Sequence, residues 1–337
     1  MSGRIAILGA GSWGTALALM FGATGRAVTL WARDAALMES IRANRVNTRY
    51  LPGFALPPSV ALSADIGETV ASADFIVWAV PSGAFREVSQ LVAPCLSPST
   101  VLVSATKGLE EETCLRMSQV LAEVIPDASE RTVVLSGPNL ALEMARGVPT
   151  AGVVASTSSE AARRVQALAL GLPEPTFRLY TGRDVTGVEL GGAIKNVIAI
   201  GAGVCDGLGF GDNSKAGLVT RGLAETMRLG VALGAETATF LGLSGVGDLF
   251  ATTNSRLSRN YRVGLGLGLG KRLPDILQEL GQVAEGVPTT RVVCALAQRC
   301  HIEMPLCQAL RSVLFENRDA PQVIRELMLR PPKEEYS

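Results

Sequence analysis

Few side chains in this sequence can move a proton near neutral pH. Among 337 residues there is one histidine, His301, and of the 31 basic residues only Lys107, Lys195, Lys215, Lys271 and Lys333 are lysine. A single histidine excludes two-histidine metal sites of the HExxH kind, and any Ser–His or Cys–His pair would have to use it. His301 itself reads as structural or exposed at a helix end. Lys107 directly follows the apolar run VLVSAT, and the C-terminal ends of parallel strands face a ligand crevice. Lys195 sits in an otherwise apolar helical stretch with Val185, Leu190, Ile194, Val197 and Ile198. Such a lysine either snorkels or is buried. If buried, desolvation and a neighbouring cation would lower its pKa toward the proton-transfer range, which arginine does not reach. Lys271 and Lys333 have no such setting.

Phosphate binding is the second chemistry in view. Gly9-Ala10-Gly11-Ser12-Trp13-Gly14 is a GxGxxG placed after an apolar run and opening an Ala/Leu-rich helix. In that context Gly9 permits the tight turn, Gly11 lets backbone approach a pyrophosphate, and Gly14 lets the helix pack on the sheet. The next apolar run ends LWARD at 30–34. Arg33 accommodates the 2′-phosphate of NADP, so NADPH is the preferred cofactor. Asp34 keeps NAD possible, or simply caps the following helix. Gly137-Pro138-Asn139 follows VVLS and is either a ligand-facing strand end or a plain turn. Taken alone, Ser258-Arg259-Asn260 reads as a helix cap with a surface arginine. Asp248 reads equally as an orienting carboxylate or the start of a helical turn.

These residues need elements to position them. Arg4–Leu8, Val28–Trp31, Phe75–Val80, Val101–Ser104 and Val133–Ser136 are short apolar runs suited to strands buried on both faces. Helical patterns at 12–24, 34–44, 82–93 and 112–124 alternate with them, which predicts a doubly wound α/β domain of the Rossmann type. Ala151–Ala155, a helix at 158–170 and Thr176–Tyr180 complete it. From Val185 the pattern becomes helical, at 185–205, 214–233, 290–300, 305–317 and 321–329, with Val263–Gly270 read as helix and Gly281–Val287 as an extended piece. The expected division is a dinucleotide-binding domain at 1–183, an all-helical substrate domain at 184–330 and a frayed tail at 331–337. Hydrophobic residues at 47% exclude disorder, and equal basic and acidic counts of 31 argue against a nucleic-acid partner. The six cysteines form no CxxC, so reduced thiols and no metal are expected. Arg4 followed by uncharged Ile5 to Gly25 lacks a signal-peptide cleavage site, and the uncharged run Val88–Thr106 is broken by Pro94 and Pro98. The chain therefore reads as soluble and cytoplasmic, with no membrane insertion.

Taken in order, GAGSWGTALA at 9–18, LWARD, YLPG at 50–53, VPSGAFREV at 80–88, ATKGLE at 105–110, SGPNLALE at 136–143, ELGGAIKNVIAIGAG at 189–203, GVGDL at 245–249, SRN at 258–260 and VAEGV at 283–287 resemble the bacterial-type NAD(P)-dependent sn-glycerol-3-phosphate dehydrogenases. The resemblance runs from residue 4 to about 330. It implies a helical domain like the C-terminal domain of 6-phosphogluconate dehydrogenase. It also implies reduction of dihydroxyacetone phosphate to sn-glycerol 3-phosphate, the entry to glycerophospholipid synthesis. By position, Lys195 would be the proton donor and acceptor. The cofactor would meet Gly9, Gly11, Ser12, Trp13, Gly14, Arg33, Tyr50, Phe85, Lys107, Ala141, Arg259, Val283 and Glu285. Substrate would meet Lys107, Gly137, Asn139, Lys195, Asp248, Ser258, Arg259 and Asn260. Asn139 departs from the family, where Ser or Thr is usual, although an amide can still bond the substrate. The match also turns Ser258–Asn260 into a fork of donors suited to a phosphate. The family relation leaves a homodimer possible. Two other readings stand beside this one: a dehydrogenase of the same architecture acting on a hydroxyacid or sugar phosphate, and a non-catalytic NADPH-binding sensor.

Overall fold

The computed structural model describes residues 3–172, 174–332 and 334–335. Lys333 and part of the tail expected to fray lie outside the described residues. The first half alternates β1 (Ile5–Leu8), α1 (Ser12–Gly22), β2 (Val28–Trp31), α2 (Ala35–Asn44), β3 (Val60–Ser63), α3 (Ile66–Val70), β4 (Phe75–Trp78) and α4 (Ser82–Val92). It continues with β5 (Val101–Ser104), α5 (Met117–Val124), β6 (Thr132–Ser136), α6 (Ala141–Ala145), β7 (Thr150–Ala155), α7 (Ser159–Ala169) and β8 (Phe177–Gly182). The strands form one sheet in the order β3-β2-β1-β4-β5-β6-β7-β8. Every neighbouring pair is parallel except β6 and β7.

Alternation along each strand explains why the central runs are apolar throughout. Ile5, Ile7, Val77 and Val103 enter one buried cluster with Leu17 and Val165, while Ala6, Leu8, Ile76 and Leu102 enter another with Val88 and Leu121. Helices therefore cover both faces of the sheet. The strand order reverses between β1 and β4, and the crevice beyond the C-terminal strand ends opens there.

Three features of this half depart from the sequence reading. The edge strand β3 was not expected, because its four residues VALS are buried only at Val60 and carry no continuous apolar run. The short helices α3 and α6 were likewise missed. The sheet is also not wholly parallel. The chain turns at Gly137, whose φ of 122° and close approach to Gly152 exclude a side chain, and β7 runs back along β6.

The second half is helical: α8 (Val185–Gly207), α9 (Asp212–Ala232), α10 (Thr237–Phe240), α11 (Asp248–Thr253), α12 (Arg259–Gly268), α13 (Leu273–Leu280), α14 (Gly286–Arg299), α15 (Pro305–Phe315) and α16 (Ala320–Met328). A single π-type turn over Leu243–Gly247 leads into α11. The central element is α8, buried at every residue from Gly187 to Cys205 and surrounded by α9, α11, α12 and α14. It is long and apolar enough to cross a membrane, yet its most apolar window is wholly buried inside the protein, as a helix apolar on all sides must be.

The repeat VGLGLGLG is explained by this packing. A β-carbon on Gly264 would overlap the Ile200 carbonyl oxygen, and one on Gly203 the Tyr261 carbonyl oxygen, so α8 and α12 cross with their backbones in contact. The extended piece expected at Gly281–Val287 is not there. Gly281 ends α13 in the left-handed conformation (φ 58°) and Gly286 begins α14. The helix α13 was not foreseen, although Pro274 near its start and Gly281 at its end are ordinary start and stop residues.

Candidate active site

The glycine turn after β1 has the form that a dinucleotide requires. Gly9 adopts φ 113°, and a β-carbon on Gly14 would overlap the Gly9 carbonyl oxygen, so that glycine seats α1 on the turn. A β-carbon on Gly11, by contrast, would meet nothing within 4 Å. The turn is open where a pyrophosphate would approach. Gly11 precedes α1 without a side-chain cap, leaving first-turn N–H groups free, and the buried Trp13 Nε1 has no partner. The residues present fit a dinucleotide.

Around this turn the structure sorts the expected residues. Ser12 Oγ donates to the Tyr50 carbonyl at 2.7 Å, which brings Tyr50 to the turn. Arg33 is exposed at the end of β2, its Nη1 3.1 Å from both carboxylate oxygens of Glu87. Asp34 caps α2 by accepting from Leu37 N at 3.0 Å. Phe85 is wholly buried beside Trp78, with ring centroids 6.0 Å apart, so it lies in the core beneath the crevice rather than on its surface. Ala141 begins α6, which packs on α1. Val283 is exposed in the link between α13 and α14. Glu285 reaches across to the sheet domain, accepting from Ser82 N at 2.9 Å and from Ser82 Oγ at the start of α4. Burial pushes its carboxyl pKa up. Sequence reasoning missed Asn47. Fully buried, it donates 2.8 Å bonds to the Ala10 carbonyl and to Thr15 Oγ1, tying the loop that carries Tyr50 to the turn.

The second group assembles on the far side, where α8 and α11 meet the strand ends. Asp248, the first residue of α11, is 2% exposed and holds a lysine on each oxygen. Lys195 Nζ is 2.7 Å from Asp248 Oδ1, and Lys107 Nζ is 2.7 Å from Asp248 Oδ2. Lys195 also donates to Thr252 Oγ1 at 2.7 Å, while Lys107 donates to the Gly137 carbonyl at 2.8 Å and to Asn139 Oδ1. Both readings of Asp248 hold together: it starts a helix and it orients the lysines. Thr252 was missed. Its spacing of four from Asp248 on one helix was the available signal.

Lys107, for which the sequence carries no expectation of a shifted pKa, has a depressed one. Desolvation, with the Lys195 charge acting in the same direction, brings it down to about 8 against the opposing pull of Asp248. The buried Asn139 Nδ2 has no partner, and Ser136 Oγ is likewise unpaired. No protein group pairs with this amide nitrogen, and most buried polar groups are paired.

An amide chain joins the elements around the lysines. Asn196 Nδ2 donates to the Lys107 carbonyl at 3.2 Å, Asn260 Nδ2 to Asn196 Oδ1 at 2.8 Å, and Gly286 N to Asn260 Oδ1 at 2.9 Å. Ser258 Oγ caps α12 by accepting from Tyr261 N at 3.2 Å. Arg259, the next residue, is exposed and faces the charge of Glu285. His301 is exposed with φ 56° just past α14, remote from this group. Among the described residues no cluster of three or more His, Cys, Asp or Glu could hold a metal, and all six cysteines are free.

Two lysines around one carboxylate leave a net positive charge at the strand ends, next to unpaired donors and a dinucleotide-shaped turn. Sheet, turn and lysine pair together define a two-domain oxidoreductase that uses a nicotinamide dinucleotide. The family profile for the N-terminus of NAD-dependent glycerol-3-phosphate dehydrogenase matches residues 4–162, and that for its C-terminus matches residues 184–325. The chain belongs to this glycerol-3-phosphate dehydrogenase family. It is 48% identical to the glycerol-3-phosphate dehydrogenase (NAD(P)+) of Carboxydothermus hydrogenoformans over 334 residues, 99% of this chain and 98% of the relative. It is also 48% identical to the Geobacter sulfurreducens protein of the same name over 336 residues, 99% of each. The crystal structure of glycerol-3-phosphate dehydrogenase from Coxiella burnetii superposes with a TM-score of 0.92 at 39% identity, covering 98% of this chain and 99% of that one.

Proposed function

We propose that the chain interconverts dihydroxyacetone phosphate and sn-glycerol 3-phosphate, with Lys195 as the proton donor and acceptor. The observation that carries this is the buried Asp248 carboxylate shared by Lys195 and Lys107 at the C-terminal strand ends. NAD(P)H, when bound, supplies hydride to the substrate carbonyl carbon. The oxygen then needs a proton, and a buried ammonium held by Asp248 and Thr252 is aimed and ready to give one. Lys107, Asn139 and Arg259 bind the anionic substrate: Lys107 by charge, Asn139 by its unpaired amide, and Arg259 by a fork of donors at the start of α12. Gly137, Ser258 and Asn260 shape and cap that pocket.

The turn at Gly9, Gly11, Ser12, Trp13 and Gly14 holds the pyrophosphate, with Tyr50 and Ala141 beside it and Val283 and Glu285 at the nicotinamide end. Residues 1–183 act as the dinucleotide-binding domain and 184–330 as the substrate domain. NADPH is the preferred cofactor. Arg33 is exposed at the end of β2, while the Asp34 carboxylate, which would otherwise bond a ribose diol, is engaged in capping α2. The protein works in the cytoplasm without membrane insertion.

The test is NADPH oxidation with dihydroxyacetone phosphate against unphosphorylated dihydroxyacetone. The phosphorylated ketone is expected to react with a kcat/KM at least about 10³-fold higher, because remote phosphate binding energy is spent on the transition state. Absence of turnover with dihydroxyacetone phosphate overturns the proposal.

A further inference from the structure

The end of the crevice that would receive the adenosine carries more charge than Arg33 alone. Arg49 lies in the loop between α2 and β3, its Nη1 3.5 Å from Asp34 Oδ2 and its guanidinium 5.1 Å from the centroid of the Tyr50 ring. Asn47 and the Ser12–Tyr50 bond fasten this loop to the glycine turn, so Arg49 is presented at a fixed place beside it. Arg33 directly precedes Asp34 in the chain, and Arg49 pairs with the Asp34 carboxylate, so both arginines stand near the end of β2.

Arg33 is held toward the other side. Its partner Glu87 belongs to α4, which follows β4, while Arg33 follows β2, and β1 lies between those strands. The Arg33–Glu87 pair therefore spans the end of β1 from which the glycine turn springs. The side chains of Arg33 and Glu87 are 74% and 57% exposed, and exposed pairs of this kind are weak and readily exchanged. A phosphate dianion brings more charge and three acceptor oxygens, and two guanidinium forks suit it better than a single carboxylate does.

We propose that Arg49 is a second reader of the 2′-phosphate of NADPH, and that Glu87 is a resting counter-ion which this phosphate displaces from Arg33. The inference rests on the NADPH preference proposed above. It adds a specificity-determining residue and gives a carboxylate on α4 a role in cofactor choice.

Calorimetric titration of the full-length protein with 2′,5′-ADP and 5′-AMP, and with NADPH and NADH, tests it in wild type, Arg49→Gln and Glu87→Gln. These side chains are exposed, so neither substitution disturbs the core. The preference for the 2′-phosphorylated ligand, as a ratio of Kd values, is expected to fall about tenfold in Arg49→Gln and to rise about threefold in Glu87→Gln. If wild type prefers the 2′-phosphate and Arg49→Gln keeps the full ratio, Arg49 is not a reader, while the NADPH preference stands. A ratio that is unchanged or reduced in Glu87→Gln overturns the counter-ion role. A wild type that does not favour the 2′-phosphate overturns both this inference and the preference on which it rests.

Discussion

The two cationic regions of this molecule are built in opposite ways. At the adenosine end, Arg33 and Arg49 stand on the surface in ion pairs with Glu87 and Asp34 that solvent screens. At the strand ends, Lys107 and Lys195 share Asp248 at 2.7 Å on either side, with side chains between 3% and 16% exposed. In the proposed function, arginine serves where a permanent charge must read a permanent phosphate. Lysine serves where charge has to be gained and lost. Burial makes the second region costly to assemble and strongly coupled, while the first can be retuned at little cost to the fold. Under the proposed function, the choice of cofactor is then a soft property of this chain and proton transfer a hard one.

The sharpest way to break this contrast is Asp248→Asn. It leaves two buried ammonium groups with a neutral amide, and removing one partner of a buried ion pair costs ~3–5 kcal/mol of stability. Chemical denaturation at pH 7 measures this loss. Because Lys107 can shed its proton, and in this variant no longer has Asp248 to hold it, the loss is expected to shrink as pH rises toward about 8. A surface-like loss below roughly 1 kcal/mol would mean that the cluster is no more coupled than the arginine pairs.

Next in size is Lys107→Met. Loss of a charged contact to the anionic substrate is expected to raise the KM for dihydroxyacetone phosphate by about 10–100-fold, with a smaller change in kcat. In wild type the same KM is expected to climb as pH passes about 8, where Lys107 loses its charge. For stability the sign is the reverse. The folded pKa of Lys107 lies below its ordinary 10.5, so burying the charged form destabilises the protein below pH 8, and that penalty is relieved as pH rises from 8 to 10.5. Steady-state KM and denaturation midpoints across pH 7–10.5, compared with Lys107→Met, check both slopes.

The smallest effect belongs to the exposed end. Arg33→Asp is expected to shift the NADPH to NADH ratio of kcat/KM about tenfold toward NADH, with little change in thermal stability. An unchanged ratio would remove Arg33 from the reading of the 2′-phosphate.

The same contrast governs what is legible in the sequence. Lys107, Lys195 and the glycine turn were legible because their residue types are rare or strictly spaced along one segment. Their partners were legible only in part: Asp248 reads as one of two alternatives, and Glu87 and Asn47 do not stand out at all. Asp248 reaches Lys195 across 53 positions of chain, Glu87 reaches Arg33 across 54, and Asn47 meets Ala10 across 37. No periodicity carries such contacts. The central parallel strands were visible as apolar runs because both of their faces are buried. The edge strand β3, the antiparallel direction of β7 and the first turn of the helix beginning at Gly286 escaped, since edges and local glycines obey tertiary packing more than pattern. Phe85 carries a role by position alone, and its ring is wholly buried against Trp78.

Turnover of Lys195→Ala bears most directly on the account. With dihydroxyacetone phosphate and NADPH both saturating, and the variant shown to be folded and to bind NADPH, kcat is expected to fall by roughly 10²-fold or more for loss of the general acid. A kcat within about threefold of wild type would contradict a proton-donor role for Lys195, since removal of a working general acid costs far more than that.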